Sequence, residues 1–143
     1  MISTRGRYAV RIMIEIGSLC DAENPEQSVP MSLETISKNQ NLSKKYSENI
    51  VGKMTKAGLL KSAVGRTGGY RLVKKPQDYR IDEILESTEG SLAPVSCLVP
   101  GAPTCENAKE CKSLSLWQQY DILTKEFFHK VTLEDLINGT ISA

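Results

Sequence analysis

Apolar residues recur every three or four positions near the start of the chain, and this spacing predicts an amphipathic helix. The predicted helix spans residues 8–20, and its apolar stripe consists of Ala9, Ile12, Met13, Ile16, Leu19 and Cys20. Because Cys20 lies on this stripe and far in sequence from the other cysteines, we interpret it as a core residue. The polar residues 21–30 then predict a loop.

Two shorter helices separated by a polar turn predict a helix-turn-helix motif. Ser32 is a good N-cap for the first helix, which residues 39–41 end. Ser43 caps the second helix, over residues 44–57, before the expected stop at Gly58. The apolar stripe of this second helix is Tyr46, Ile50, Met54 and Ala57, and its opposite face carries Lys45, Glu48, Asn49, Gly52, Thr55 and Lys56. A solvated helix often has such a face, but the place of this one in the motif makes it a candidate DNA-reading surface.

A glycine-rich turn, residues 65–69, lies between two short segments, 59–64 and 70–73, that we interpret as strands. Glycine permits the positive φ angles of a tight turn, so the region predicts a hairpin with Arg66 near its tip. The turn is not a nucleotide-binding P-loop, because it lacks the terminal Lys-Ser/Thr pair and precedes a strand instead of a helix. A hairpin directly after a helix-turn-helix predicts a winged helix.

The C-terminal half predicts a short acidic helix over residues 81–89, ended by Gly90, and a long helix over residues 113–130. A final turn of helix begins at Thr132. The long helix has an apolar seam of Leu116, Tyr120, Leu123, Phe127 and Val131, flanked by Trp117 and Phe128. A second copy of the same helix is expected to cover this seam, because a small winged helix offers little surface for it. The alternative is packing within the same chain.

Between these two helices, three of the four cysteines follow the pattern Cys-x7-Cys-x5-Cys. Two prolines and a glycine between Cys97 and Cys105 exclude a regular helix there. A loop of soft thiolates is typical of a zinc site or an iron–sulfur cluster, and the wide spacing favours the cluster. Disulfides fit an odd number of cysteines poorly. We therefore predict that Cys97, Cys105 and Cys111 bind a metal cluster.

The charge of the chain, +1 over 143 residues, is unevenly distributed. Residues 1–80 hold 14 Lys or Arg against 7 Asp or Glu, whereas residues 81–143 hold 4 against 10. This asymmetry favours a polyanion-binding module joined to a separate regulatory segment, although chance drift of charge is the alternative. Arg11 and Glu15 interrupt the first apolar stretch, so we expect no signal peptide or membrane span and a cytoplasmic location.

Together these patterns predict a mainly α protein with a small β wing. Residues 1–80 are expected to form a winged helix-turn-helix DNA-binding domain. Residues 81–143 are expected to contain the acidic helix, a cysteine sensor loop (91–112) and a long dimerisation helix. The residues predicted to contact DNA are Ser43, Lys44, Lys45, Tyr46, Glu48, Asn49, Lys56, Arg66 and Thr67.

Several segments of the chain closely resemble the IscR/NsrR/CymR family of bacterial winged-helix transcription regulators. They are Arg5-Gly-Arg-Tyr-Ala-Val-Arg11, Leu42-Ser-Lys-Lys-Tyr46, Lys56-Ala-Gly-Leu59, Gly68-Gly-Tyr-Arg-Leu72, Leu92-Ala-Pro-Val95 and the cysteine triplet. The resemblance implies a homodimer, held by the long C-terminal helix, that binds pseudo-palindromic promoter DNA. In members with the triplet it also implies an iron–sulfur cluster as the sensor.

The usual fourth ligands of this family are missing from the chain. The cluster-biogenesis branch has a His shortly after the third Cys, whereas Cys111 is followed by Lys112 and the one histidine is His129. The branch that senses nitric oxide often has an Asp at the position of Arg7. The fourth position then falls to Glu106, Glu110, a residue of the partner subunit, or solvent.

The resulting prediction is a cluster-dependent repressor of genes for iron–sulfur cluster biogenesis or iron and redox homeostasis. A 2Fe–2S cluster is favoured over 4Fe–4S. Alternatives within the family are a repressor that senses nitric oxide or redox state and a cysteine-metabolism repressor without a cluster. Outside it, the alternatives are an electron carrier, a thiol redox enzyme or a structural zinc protein. No Cys-x-x-Cys pair is present to favour catalysis.

Overall fold

The computed structural model describes residues 1–141, and these residues form a mainly helical protein with one small sheet. The helices are α1 (Thr4–Ser18), α2 (Leu33–Gln40), α3 (Lys44–Lys56), α4 (Ile81–Glu89), α5 (Leu114–Lys130) and α6 (Leu133–Asn138). The strands are β1 (Leu60–Ala63) and β2 (Gly69–Leu72), and short 3-10 turns cover Pro25–Gln27, Pro76–Asp78 and Ser96–Leu98. The predicted fold class, mainly α with a small β wing and a long C-terminal helix, is confirmed.

Helix α1 begins four residues before the predicted start. Its N-cap is Ser3, whose Oγ accepts a hydrogen bond from the backbone N–H of Gly6. The apolar pattern did not indicate this first turn because it consists of polar residues. At the other end, Leu19 is the exposed C-cap and Cys20 is half-buried against the core. The predicted stripe is therefore wrong at Leu19 and correct for its first four members.

The helix-turn-helix motif forms as predicted, with Ser32 and Ser43 as the side-chain caps of α2 and α3. The turn between them depends on Asn41, which has a left-handed φ of 54°. Helix α3 ends before Gly58, whose φ is 79°. The expected core residue Ala57 is exposed, because it is already the C-cap and lies beyond the packed part of α3.

The wing is an antiparallel pair, β1 with β2, in which Leu60 faces Leu72 and Ala63 faces Gly69. A third chain segment, which sequence patterns did not indicate, extends this pair. The backbone N–H and C=O of Met31 both bond to Tyr70, at 2.9 and 2.8 Å. The approach is close enough that a Cβ on Gly69 would lie 2.3 Å from the carbonyl oxygen of Met31. Glycine is therefore required where the wing meets the segment before α2.

The hydrophobic core is continuous across residue 80. Helix α1 packs against both α4 and α6, and α3 also packs against α4. The core residues from beyond residue 80 are Ile81, Ile84, Leu85, Leu92 and Leu133. The division of the chain at residue 80 into a DNA-binding part and a regulatory part remains a prediction about function. The two parts share one hydrophobic core.

Among residues 1–141, no helix combines the length and the apolar composition needed to cross a membrane.

Candidate nucleic-acid interface and cysteine loop

The outer face of α3 is polar and exposed, as predicted for a DNA-reading helix. Helix α3 buries Ile50, Val51 and Met54, so the opposite side of the helix points to solvent. That side carries Lys44, Lys45, Glu48, Asn49 and Lys56, all exposed. It also includes Gly52, where nothing lies within 4 Å of an added Cβ, so the surface is open.

The positive charges on this face are not neutralised by neighbours within residues 1–141. In this part of the chain Lys74 forms an ion pair with Glu83, Lys125 forms one with Asp121, and the His129 ring shares a hydrogen bond with Asp82. None of them involves a lysine of α3. Unpaired ammonium groups on an exposed helix face can displace counterions from nucleic-acid phosphates.

Two of the predicted contact residues have structural roles at the start of α3. The Oγ of Ser43 accepts a hydrogen bond from the N–H of Tyr46 at 3.1 Å. The Tyr46 side chain is half-buried, and its ring meets the edge of Tyr8 on α1 with 6.4 Å between centroids. Tyr46 thus helps to dock α3 on α1. The other residues predicted to contact DNA lie on the outer face of α3 or on the wing.

The tip of the wing presents Arg66 and Thr67 to solvent. The chain turns between Ala63 and Gly69, where Gly65 has a φ of 113° and its carbonyl accepts from the N–H of Gly68 at 3.0 Å. Within residues 1–141 the guanidinium of Arg66 belongs to no ion pair. The tip therefore offers a second positive group for the DNA backbone.

All three cysteines of the predicted sensor loop are exposed free thiols. The loop consists of short turns, including the 3-10 turn Ser96–Leu98 and a turn at Gly101, where φ is 81°. Leu92 is its buried anchor to the core. From there to the start of α5 the chain is held by local backbone hydrogen bonds.

Cys111 differs from the other two cysteines in its surroundings. Its Sγ lies 3.4 Å from the Oγ of Ser113, and hydrogen bonds from the side chain and backbone of Ser113 lower the pKa of the thiol below its ordinary value of 9.0. A lower pKa increases the thiolate fraction at neutral pH, and the thiolate is the form that ligates metals and reacts with electrophiles.

The loop has the donors for an iron–sulfur cluster but does not gather them. Three exposed thiols match the ligand preference of iron–sulfur clusters. However, residues 1–141 contain no group of three or more His, Cys, Asp or Glu side chains close enough to hold a metal ion. Glu106 and Glu110 are exposed on the same loop, and His129 bonds to Asp82 on α4 at 2.8 Å. The donor chemistry fits, whereas the geometry would require the loop to close.

The family model described as "Rrf2: Iron-dependent Transcriptional regulator" matches residues 2–139 of the chain. The chain belongs to the Rrf2 family. The family resemblance noted from the sequence motifs is thereby confirmed.

Two named relatives of this Rrf2 chain are similar over nearly its whole length. The HTH-type transcriptional regulator CymR of Bacillus subtilis is 36% identical over 139 residues, which cover 97% of this chain and 91% of CymR. The HTH-type transcriptional regulator IscR of Pectobacterium atrosepticum is 27% identical over 138 residues, covering 96% and 79%. A solved structure of CymR, described as the global cysteine regulator of B. subtilis, superposes with a TM-score of 0.74 at 36% identity and covers 99% of this chain and 98% of CymR. This Rrf2 protein is thus a winged-helix transcriptional regulator by family, and its named relatives are regulators rather than enzymes.

The α5 seam of this Rrf2 protein lies uncovered in the single chain. Helix α5 contains no buried residue, and Leu116, Tyr120, Leu123 and Phe127 are each more than half exposed. Phe128 and Val131, in contrast, pack against the core of their own chain. The predicted seam is therefore divided: its C-terminal end is covered within the chain and the remainder is free.

Two residues that support the DNA-facing surface, Glu15 and Tyr79, were not predicted from the sequence. Glu15 on α1 accepts hydrogen bonds from Asn39 and from the buried Gln40, so it braces the turn between α2 and α3. Tyr79, at the base of the wing, is fully buried, and burial raises the pKa of its hydroxyl. The sequence signal that could have indicated Tyr79 was its position two residues before the apolar start of α4. A tyrosine that is buried there usually needs a hydrogen-bond partner for its hydroxyl.

Proposed function

We propose that this Rrf2 protein binds double-stranded promoter DNA as a homodimer and represses genes of iron–sulfur cluster biogenesis or iron and redox homeostasis. The observation that carries the DNA-binding part is the exposed outer face of α3, with lysines that have no acidic partner within residues 1–141. This face lies on the second helix of a helix-turn-helix, which is the element that enters the major groove in such motifs.

Different residues of this surface have different proposed roles. Lys44, Lys45 and Lys56 bind phosphate or guanine, while Glu48 accepts a hydrogen bond from a cytosine amino group. Asn49 lies beside Glu48 on the same exposed face and reads an adjacent base edge. Ser43 and Tyr46 support this surface from the helix start.

The wing extends the same surface to the DNA backbone or minor groove. Arg66 is the principal contact, because its exposed guanidinium can bind phosphate or enter a narrow minor groove. Thr67 is beside it as a neutral phosphate donor.

The α5 seam supports the homodimer. Leu116, Tyr120, Leu123 and Phe127 form an exposed apolar stripe, and a second α5 would bury it in a two-fold arrangement. A two-fold dimer would present two α3 helices to half-sites about 34 Å apart, or a multiple of that spacing, which matches a pseudo-palindromic operator.

Cys97, Cys105 and Cys111 are the proposed ligands of an iron–sulfur cluster, with 2Fe–2S favoured over 4Fe–4S. The support is their exposure on one loop, the lowered pKa of Cys111 and the iron dependence named in the family description. When bound, such a cluster supplies a redox-sensitive group to the regulator. The loop residues would orient it, and Glu106, Glu110, a residue of the partner subunit or solvent would complete the ligand set.

A second candidate function is a cysteine-metabolism repressor without a cluster. It is favoured by the 36% identity with CymR, whose structure is described as that of a global cysteine regulator, and by the open arrangement of the three thiols. The two candidates share the DNA-binding surface and differ in what the cysteine loop binds.

Operator binding tests the α3 assignments. Lys45→Ala should weaken binding to all DNA sequences, because one phosphate contact is lost. The slope of log Kd against log salt should also fall by about one. Glu48→Ala should instead reduce discrimination at one base pair by about 1–3 kcal/mol. Equal losses on operator and random DNA for both variants would contradict these roles.

Purification without oxygen separates the two candidates for the loop. The proposed cluster predicts visible absorption together with stoichiometric iron and acid-labile sulfide, all lost when Cys97, Cys105 and Cys111 are replaced by Ala. The matched control is Cys20→Ala, since Cys20 is far in sequence from the other three cysteines and packs against the core. Colourless protein without iron favours the CymR-like candidate, and zinc alone would indicate a structural site.

A further inference from the structure

We propose that the hydroxyl of Tyr79 positions the wing relative to the recognition helix α3, so that Arg66 reaches DNA. This inference rests on the proposed DNA contact of the wing. It assigns Tyr79 as a positioning residue, because the side chain is fully buried and cannot itself touch DNA.

The Tyr79 hydroxyl joins the two ends of the wing. It donates a hydrogen bond of 2.7 Å to the carbonyl of Leu59, which lies between α3 and β1. It accepts hydrogen bonds from the backbone N–H groups of Val73, at 2.9 Å, and Lys74, at 3.4 Å, where the chain leaves β2. One oxygen atom therefore ties the entry and the exit of the hairpin together.

The same residue connects the wing base to the rest of the protein. The Tyr79 carbonyl accepts a hydrogen bond from the N–H of Leu133 at 3.1 Å. Two residues later, the N–H of Ile81 donates to the carbonyl of Val131, also at 3.1 Å. Lys74 lies over the Tyr79 ring, 4.7 Å from its centroid, and pairs with Glu83 of α4. The hairpin is thereby held against α4 and against the chain that follows α5.

The hydroxyl matters more for position than for the size of the core. A two-stranded hairpin is marginally stable alone and takes its orientation from what it is attached to. Here the attachments include the buried side chains of Leu60 and Leu72, the bridge from Tyr70 to Met31 and the hydroxyl of Tyr79. A phenylalanine at position 79 would fill the same volume but leave the Leu59 carbonyl and the Val73 N–H without this partner. The chain that enters and leaves the hairpin, at Leu59 and Val73, would then be less firmly held, while Leu60 and Leu72 stay packed in the core.

The first measurement compares Tyr79→Phe with a control, Thr88→Val, which also removes a buried hydroxyl. Thr88 lies on α4, and its hydroxyl donates to the carbonyl of Leu85 within the same helix. In Tyr79→Phe, circular dichroism should stay that of a folded protein, while the slope of log Kd against log salt falls by about one as the Arg66 contact is lost. Thr88→Val should leave the slope unchanged. A wild-type slope in folded Tyr79→Phe would overturn the inference.

A double-mutant cycle with Arg66→Ala separates positioning from general stability. If Tyr79 acts through the wing, the double variant should bind DNA like Arg66→Ala alone, within a factor of about two. Losses that multiply would overturn the inference, because Tyr79 would then act independently of Arg66. If Arg66→Ala binds DNA as tightly as the wild type, the wing contact of the proposed function is wrong. If Arg66→Ala weakens binding and Tyr79→Phe does not, the assignment of Tyr79 alone is wrong.

A measurement on the wild-type protein does not depend on the variant folding. Hydrogen exchange of the Val73 amide should be slow and match that of the β2 amides, since the proposed hydrogen bond opens only when the wing detaches. Exchange at the rate of a free amide would mean that the hydroxyl does not hold the wing, and would overturn the inference.

Discussion

Helices α3 and α5 both carry an apolar stripe, yet they differ in where that stripe lies. Helix α3 buries Ile50, Val51 and Met54 against its own chain, whereas α5 has no buried residue and leaves Leu123 64% exposed. The N-caps of the two helices also differ, because the Oγ of Ser43 accepts a hydrogen bond from the N–H of Tyr46, whereas Ser113 makes no side-chain cap bond. An amphipathic pattern thus predicts a helix in both cases, but the partner of each stripe depends on the rest of the molecule.

The cysteine loop extends this contrast. The α1–α4 region is held by a shared core, whereas the loop between α4 and α5 has Leu92 as its buried anchor and exposes its three thiols. A segment with few buried contacts opens at low free energy and is suited to ligand-dependent ordering. The proposed sensing elements therefore lie in the less tightly packed part of the chain.

The largest expected effect is from a charge placed in the α5 seam. Leu123→Asp would bury one unpaired carboxylate per protomer in the proposed dimer, at a cost of about 3–5 kcal/mol each. Sedimentation at micromolar concentration should show a dimer for the wild type and a monomer for this variant. The matched control is Gln118→Asp, an exposed position on the opposite side of α5, which should remain dimeric. A monomeric wild type would contradict the proposed dimer.

A large effect is also expected in the core beneath α3. Ile50→Ala removes buried methyl groups and should lower the free energy of unfolding by about 2–5 kcal/mol. Denaturant titration at two protein concentrations measures this loss, which should be largely independent of concentration. The loss from Leu123→Ala should instead depend on concentration, because dimerisation contributes to stability by mass action. Concentration-independent losses of equal size would place α5 in the core of its own chain.

A smaller effect distinguishes the two helix caps. Ser43→Ala removes the hydrogen bond to the Tyr46 N–H and should cost about 1 kcal/mol of unfolding free energy. Ser113→Ala removes no cap bond and should cost less than about 0.5 kcal/mol. Thermal or denaturant unfolding of the two single variants makes the comparison, and equal costs would contradict the assignment of Ser43 as the stronger cap.

The smallest effect is a change in the reactivity of one thiol. Hydrogen bonds from Ser113 lower the pKa of Cys111, so at pH values below its ordinary 9.0 more of it is thiolate. Ser113→Ala should raise that pKa toward 9.0 and slow alkylation of Cys111 near neutral pH, with the difference disappearing at high pH. The rate of iodoacetamide labelling at Cys111, followed by mass spectrometry in apo protein, measures this change, with Cys97 as the internal reference. An unchanged rate profile would exclude the Ser113 hydroxyl as a cause of the lowered pKa.

Local sequence signals determined most of the element boundaries. Ser32 and Ser43 marked helix starts, Gly58 and Gly90 marked ends, and each of these assignments depends on interactions within a few residues. The outer face of α3 was likewise predictable, because helical periodicity alone separates Ile50 and Met54 from Lys45 and Glu48. Such features need no knowledge of distant residues, so the sequence was sufficient for them.

Only the tertiary structure decided which distant segments meet. Three contacts join residues that no local pattern relates: the pairing of Met31 with Tyr70, the hydrogen bond that Gln40 donates to Glu15, and the Tyr79 hydroxyl between Leu59 and Val73. The same holds for α5, whose C-terminal residues Phe128 and Val131 pack on the core while Leu123 stays exposed. Buried polar groups find partners, and apolar stripes find cover, through the packing of the whole chain, and periodicity along one segment does not contain that information.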